Sequence, residues 1–260
     1  MSKETITVPD GGISPDGGAS PDPGISRDER VIRKKTAVFL QVRLASSRLP
    51  EKALLPLAGK PVVLHAMDSL RSLPVEQFWL VTDEESAPLL EPWARKGGFR
   101  VFAGDARDVL LRFCQAADHT GAEVILRATG DNPLVSRKVA LGALDLFFQD
   151  LPDYAALRGS PLGTGVEVIR SEALDDLRRF SSSAYDHEHV TPGLYENPQR
   201  YRLSIEEVPR QWQAPSWRVT LDTPEDYQAL QSIYDELYRG SPIALEDLLA
   251  FGYSRVWYSA

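Results

Sequence analysis

Residues 41–52, QVRLASSRLPEK, carry two arginines, two adjacent serines and a lysine, directly after the apolar run TAVFL. Such a run reads as a buried strand, and loops leaving strand ends in α/β sheets are where ligands bind. Arg43, Arg48 and Lys52 supply the positive charge that a polyphosphate requires, and Ser46 and Ser47 supply hydroxyl donors. Small side chains also let backbone amides approach an anion closely. The stretch matches neither G-x-x-x-x-G-K-[ST] nor G-x-G-x-x-G. On charge alone, a solvated basic loop is an equal alternative.

Two aspartates stand at comparable places. Asp131 follows EVILRAT through Gly130, and Asp222 follows WRVTL. Two carboxylates converging at one sheet edge suit Mg²⁺, a hard ion that takes oxygen ligands and shares its shell with substrate phosphates. The alternative is that each only caps the next stretch of chain, and Asp222 does precede a good helix start, Thr-Pro-Glu-Asp. Arg127 reads either as a nucleotide contact or as half of an ion pair at the sheet edge. Arg218 reads either as a phosphate ligand or as the partner of an acid. Asp108 opens a helix and suits an N-cap. Cys114, the single cysteine, falls on the apolar side of the same helix and reads as core. The stretch DHEHVTP (186–192) suits a strand or loop; its two histidines have no third ligand at a recognisable spacing, so zinc is not expected.

The elements that must position these groups alternate. TAVFLQV, QFWLVT, RVFAG and EVILRAT read as strands. Between and after them, residues 61–73, 86–97, 108–121 and 137–150 carry apolar residues at helical spacing. Strand–helix alternation with short connections predicts an α/β domain, a mostly parallel sheet with helices on both faces. The later half is less regular: GVEVI (165–169), YRLSIEEV (201–208) and WRVTL (217–221) read as strands, and 171–180 and 224–238 as helices. Residues 1–33 are rich in Pro, Asp and Gly and hold little to bury, which predicts a disordered tail ahead of a domain over 34–260.

A net charge of −8 argues against nucleic acid or an anionic membrane surface as partner, since both need a cationic footprint. The lone cysteine, the lack of a signal-peptide pattern and the lack of a long apolar run make a cytoplasmic protein the expectation.

The order of the residues adds more. QVRLASSRLPEKALLPLAGKPVVLHA resembles the opening of the cytidylyltransferase family named for spore coat polysaccharide biosynthesis protein F, with its Q-A-R-x-G-S-x-R-L-P-x-K and G-K-P pattern. Gln41, Arg43, Ser46, Arg48, Leu49, Pro50, Lys52, Gly59, Lys60 and Pro61 fit; Ala45 and Glu51 stand where glycines are usual. VFAGDARDVLLRF, ILRATGDNPLV, HEHVTPGLYENP and WRVTLDTPEDYQAL resemble later motifs of that family in the same order, so the likeness covers roughly residues 36–238. It implies a three-layer, Rossmann-like nucleotide-diphospho-sugar transferase fold. It also implies an Mg²⁺-dependent transfer of CMP from CTP to a sugar or sugar-acid acceptor, with release of pyrophosphate, for surface polysaccharide biosynthesis. Relatives of this kind imply a homodimer. Another nucleoside triphosphate, a phosphate-bearing acceptor or a catalytically silent relative are the other readings.

By the same resemblance, Arg43, Ser46, Ser47, Arg48 and Lys52 bind the triphosphate, and Asp131 and Asp222 hold the metal. Arg43, Lys52, Asp131 and Asp222 form the catalytic group. Asp108 and Arg112 meet base or ribose, with Arg127 beside the nucleotide. Glu167, His189, Thr191 and Tyr195 meet the acceptor, and Arg218 joins them.

Deleting residues 1–30 is expected to leave the melting temperature unchanged. A drop of several degrees would show that the tail packs on the domain.

Overall fold

The computed structural model describes residues 35–254, so the tail expected over 1–33 lies outside the described residues. Strand β1 (Thr36–Gln41) is buried at five of its six positions, as a strand covered on both faces must be. After it come the short strands β2 (Pro56–Leu57) and β3 (Lys60–Pro61), then β4 (Gln77–Asp83), β5 (Arg100–Gly104), β6 (Val124–Thr129), β7 (Tyr154–Arg158), β8 (Glu167–Arg170) and β9 (Leu203–Glu207). One seven-stranded sheet runs in the order β5-β4-β1-β6-β8-β7-β9. Its strands are parallel except β8, which is antiparallel to both neighbours.

Side chains alternate across β1. Val38 and Leu40 pack with α1 (Val62–Leu70), α2 (Ala87–Lys96) and α4 (Arg137–Asp150). Ala37 and Phe39 pack on the other face with α3 (Val109–Thr120) and α5 (Ser171–Phe180). The result is the expected three layers. The short helices α6 (Ala184–His189) and α7 (Pro192–Tyr195) follow α5. A third apolar cluster joins Trp217, Val219 and Leu221 to α8 (Pro224–Leu237) and α9 (Leu245–Ser254). No described helix is long and apolar enough to cross a membrane.

The LAGKP stretch is a tight hairpin. Leu57 pairs with Lys60 across Ala58 and Gly59, which have φ of 45° and 83°. Positive φ at both central residues is what a two-residue I′ turn demands, and glycine meets it without strain. Pro61 then starts α1.

Two expectations for the later half are corrected. Residues 217–221 are not a sheet strand: a single parallel bridge joins Leu162 to Arg218. The alternating Trp217, Val219 and Leu221 bury into the α8–α9 cluster instead. Period-two burial is common to any extended segment, so the pattern alone does not tell sheet from edge. Conversely, YAALR forms β7 because β8 and β9 pair with it on both sides, which overrides the weak strand preference of its alanines. The stretch DHEH, expected as strand or loop, lies in α6.

Helix ends are specified locally. Asp108 and Ser136 accept from Leu111 N and Val139 N as N-caps of α3 and α4. Thr223 and Asp226 form a reciprocal capping box at α8. Thr223→Ala is expected to cost about 1 kcal/mol, a fall of roughly 2–4 °C in melting temperature. An unchanged melting temperature would show that the box carries no stability.

Candidate active site

Two clefts open at the carboxyl ends of the central strands. The first, about 490 Å³, is lined by the loop after β1, by Asp131 and Asp222, and by His189. The second, about 370 Å³, lies over β7 and β8. Arg127 and Thr129 of β6 line both. Volumes of this size suit small-molecule ligands.

The β1 loop is held at both ends. Val42 N donates to Val81 O at 3.2 Å, and Glu51 N donates to Leu44 O at 3.1 Å, closing the loop. Leu44 N donates to Ser86 Oγ at 3.0 Å, and the buried Asp83 carboxylate accepts from Ser86 N and Ser86 Oγ. Glu51 has φ 52°, in the left-handed region, which accounts for the glycine usual in the resembling motif. Ser46, Ser47 and Ala45 form the cleft wall between these anchors.

Lys52 is the centre of the first cleft. Its Nζ donates to Leu221 O at 2.7 Å, lies 2.7 Å from Asp222 Oδ1, and lies 2.5 Å from Asp131 Oδ2. Burial alone would depress its pKa, but the two carboxylates outweigh burial and hold it above the usual lysine value. Asp222 also meets Arg48 at 3.4 Å and pairs with Arg218. Burial works to raise the pKa of Asp222; these cations, Lys52 foremost, hold it below the usual aspartate value. Asp226 Oδ2 accepts from Asp222 N at 2.8 Å and Thr223 N at 2.9 Å, so the capping box of α8 also aims Asp222. Asp131 is placed by Gly130, whose N–H donates to Gln41 O at 2.8 Å. A Cβ at Gly130 would lie 3.0 Å from Val42 Cβ, so glycine permits this close turn.

The floor between the clefts is a polar chain across four strands. Arg127 donates to Gln41 Oε1 through Nε at 3.1 Å and Nη2 at 2.9 Å, and its Nη1 pairs with Glu167. Tyr154 Oη donates to Glu167 Oε1 at 2.8 Å. Burial, reinforced by Glu167, raises the Tyr154 pKa and keeps its hydroxyl a donor. Arg112 is fully buried, donating to Asp105 O and Ala106 O, yet it also lines the first cleft and its Nη1 has no partner. An orphaned buried donor beside a cleft calls for a ligand acceptor.

A strained turn aims the third wall. Val190 has φ 73° and ψ −58°, and Thr191 N donates to His189 O at 2.9 Å, a γ-turn of the rare hand. For a β-branched residue this is an outlier, held because Val190 is fully buried. It places His189 and Glu188 on the first cleft, where Glu188 meets Arg43 at 3.3 Å.

The expected site residues therefore divide. Arg43, Ser46, Ser47, Arg48, Lys52, Arg112, Arg127, Asp131 and Asp222 meet at the first cleft, and Glu167 lines the second. His189, expected at the acceptor, lines the first cleft. Asp108 lines neither cleft: it caps α3 and faces His187 Nδ1 at 2.6 Å. Thr191 is buried behind the γ-turn. Tyr195 packs on the Tyr154 ring at 5.8 Å, behind the second cleft. Arg218 pairs with Asp222 and Asp226 on the side away from the cleft. Sequence reasoning missed Glu188, Tyr154 and Arg158; only folding brings them to these walls.

His187 latches α6 to α3. Nδ1 faces Asp108, and Nε2 lies 3.1 Å from Ser181 O. Acceptors at both ring nitrogens, Ser181 O first, favour the imidazolium and raise its pKa. Such a group stabilises the fold fully below its unfolded pKa and loses that contribution as pH rises through the folded value. The melting temperature of the wild type minus that of His187→Gln should be positive at about pH 5.5 and shrink toward about pH 8.5, across the ordinary histidine range. A difference independent of pH would remove the latch.

Comparison with known proteins identifies the family and the fold. Residues 37–251 match the cytidylyltransferase family model. The spore coat polysaccharide biosynthesis protein SpsF of Bacillus subtilis is 31% identical over 217 residues, covering 81% of this chain and 90% of that protein. A 3-deoxy-manno-octulosonate cytidylyltransferase of Hydrogenovibrio crunogenus is 32% identical over 108 residues, covering 40% and 43%. The structure of a cytidylyltransferase from Leptospira borgpetersenii superposes with a TM-score of 0.77 at 27% identity, covering 85% of this chain and 94% of that one. The loop cations, the two aspartates and the three-layer sheet thus lie in a chain that belongs to the cytidylyltransferase family, a nucleotidyltransferase enzyme.

Proposed function

We propose that this enzyme transfers CMP from CTP to a hydroxyl of a sugar acceptor and releases pyrophosphate, for surface polysaccharide assembly in the cytoplasm. The observation that carries this reading is the convergence of Arg48 and Lys52, from the β1 loop, on Asp131 and Asp222 in the first cleft. The family supports the reaction type, and the names of the SpsF and 3-deoxy-manno-octulosonate relatives support a sugar acceptor.

The triphosphate would lie in the first cleft. Arg43 and Arg48 are exposed enough to turn from Glu188 and Asp222 onto phosphate oxygens. Ser46, Ser47 and loop amides would add neutral donors. Arg112 Nη1 would give its unused N–H to an acceptor of base or ribose.

The residues present fit a hard divalent cation. Asp131 and Asp222 already hold a cationic group between them, the Lys52 ammonium. Among the described residues no cluster of three or more His, Cys, Asp or Glu could hold a metal, so the protein offers two carboxylates and leaves the remaining positions to phosphate and water. When bound there, Mg²⁺ would neutralise charge on the α-phosphate. Lys52, released from the carboxylates, would be free for the phosphate chain.

The acceptor would enter through the second cleft. Its hydroxyl oxygen attacks the α-phosphorus, the bond from the α-phosphorus to the bridging oxygen breaks so that pyrophosphate leaves with that oxygen, and the hydroxyl proton passes to solvent. Glu167, held by Arg127 and Tyr154, would orient acceptor hydroxyls. The chain's contribution is positioning and charge neutralisation, with no covalent intermediate.

Pyrophosphate release should require CTP, an acceptor and Mg²⁺. Asp131→Asn and Asp222→Asn are expected to lower turnover by roughly 10²–10³ while keeping a folded melting transition. Full activity in either variant would sink the metal assignment, and a melting shift with ATP, GTP or UTP but not CTP would sink the donor.

A further inference from the structure

A further cavity, about 470 Å³, shares no lining residue with either cleft. It lies between the end of α1, the start of α4 and the start of α9. Its charges do not cancel. Asp68 pairs with Lys60, and Glu246 pairs with Lys138. Arg137 is exposed and pairs with no carboxylate among the described residues; its Nε donates to Ser72 O at a long 3.4 Å. That contact sets the guanidinium across the gap between α4 and the end of α1.

Other donors meet it there. Arg137 and Lys138 are the first two residues of α4, so their N–H groups have no acceptor within the helix. A helix of 14 residues adds its positive end at the same point. An independent observation comes from α1. Ser69 lines the cavity and is only 5% exposed, yet its hydroxyl has no hydrogen-bond partner among the described residues. A serine in or near a helix commonly returns its hydroxyl to a carbonyl one turn back. Ser72 does so, to Ser69 O at 3.2 Å, whereas the Ser69 hydroxyl is left to the cavity. A buried hydroxyl in that state calls for a ligand acceptor. The rest of the wall is apolar, with Val135, Ile243 and Leu245 in it.

We propose that this cavity is an effector site for a phosphate monoester with an apolar body. Two helix N–H groups, a guanidinium and a hydroxyl exceed what the two oxygens of a carboxylate can use, and they suit the three terminal oxygens of a phosphate. The apolar body lies on Val135, Ile243 and Leu245. The chain itself joins this site to the first cleft, because Asp131 stands four residues before Val135. The turn between them is pinned by Val135 N, which donates to Asn132 O at 3.3 Å, and by Tyr234 Oη, which donates to Pro133 O at 2.9 Å. Ser136 N donates to Thr164 O at 2.8 Å, between two glycines that line the second cleft. A ligand that moves Val135 and Ser136 therefore moves Asp131. Binding here does not depend on which nucleotide the first cleft takes.

Amide NMR of the full chain, titrated with phenyl phosphate, tests this. Inorganic phosphate supplies the head alone and benzyl alcohol the body alone. Phenyl phosphate should shift the amides of Ser69, Arg137, Lys138 and Leu245 saturably, with Asp131 following the same curve. It should bind roughly 10-fold more tightly than either part. Arg137→Gln should weaken it by roughly 10-fold, and Ser69→Ala by roughly 2- to 10-fold. Ser69→Ala removes an unpartnered hydroxyl, so without ligand it should melt no lower than the wild type. A lower melting temperature would show that the hydroxyl already serves the fold, and would overturn the proposal. So would shifts confined to residues 43–52, wild-type affinity in Arg137→Gln, or an Asp131 amide that stays still while Ser69 moves.

Discussion

One ammonium group joins three distant parts of the chain. Lys52 Nζ reaches Asp131, Asp222 and Leu221 O, and so fastens the loop after β1 to the turn after β6 and to the segment before α8. Two carboxylates drawn to one point repel each other, and only a cation between them makes the arrangement favourable. The three anchoring contacts use all three donors of the ammonium. The same demand for positive charge makes the place suitable for a divalent ion, and a ligand that brings one would take over the role that Lys52 fills in its absence. Arg48 and Arg218 flank Asp222 from opposite sides, so the carboxylate stays ionised.

A second set of contacts turns two clefts into one site. Gln41, Arg127, Glu167 and Tyr154 come from β1, β6, β8 and β7, four adjacent strands of the sheet. Arg127 and Glu167 are direct register partners, which fixes their meeting without any loop. The reversal of β8 matters here: antiparallel pairing with β6 and β7 sets Glu167 opposite both Arg127 and Ala156. The sheet is thus the rigid floor and the loops are the walls, an arrangement that holds polar groups more firmly in place than loops alone can.

The walls store strain. Val190 is in a γ-turn conformation that costs of order 1–3 kcal/mol, offset by complete burial of its side chain. Glu51 is left-handed without being glycine. Both lie in segments that line or close the first cleft, where a bent backbone is needed to present side chains toward a ligand.

Much of this was legible in residue order. Alternating apolar runs specified the parallel sheet and its two helical layers, because burial on both faces requires continuous apolar strands. Asp108, Ser136 and Thr223 specified helix starts through local hydrogen bonds. The basic loop and the two aspartates could be named because each sits next to its own strand or turn. What the tertiary structure decided was every relation between distant residues. Glu188 meets Arg43 across a sequence separation of 145 positions. His187 turns Asp108 from a ligand candidate into an anchor. WRVTL is extended yet outside the sheet, and YAALR is in it, because neighbouring strands and not local preference chose between them. Local patterns carry backbone conformation and burial, whereas the clefts arise from contacts across the sheet, which periodicity does not encode.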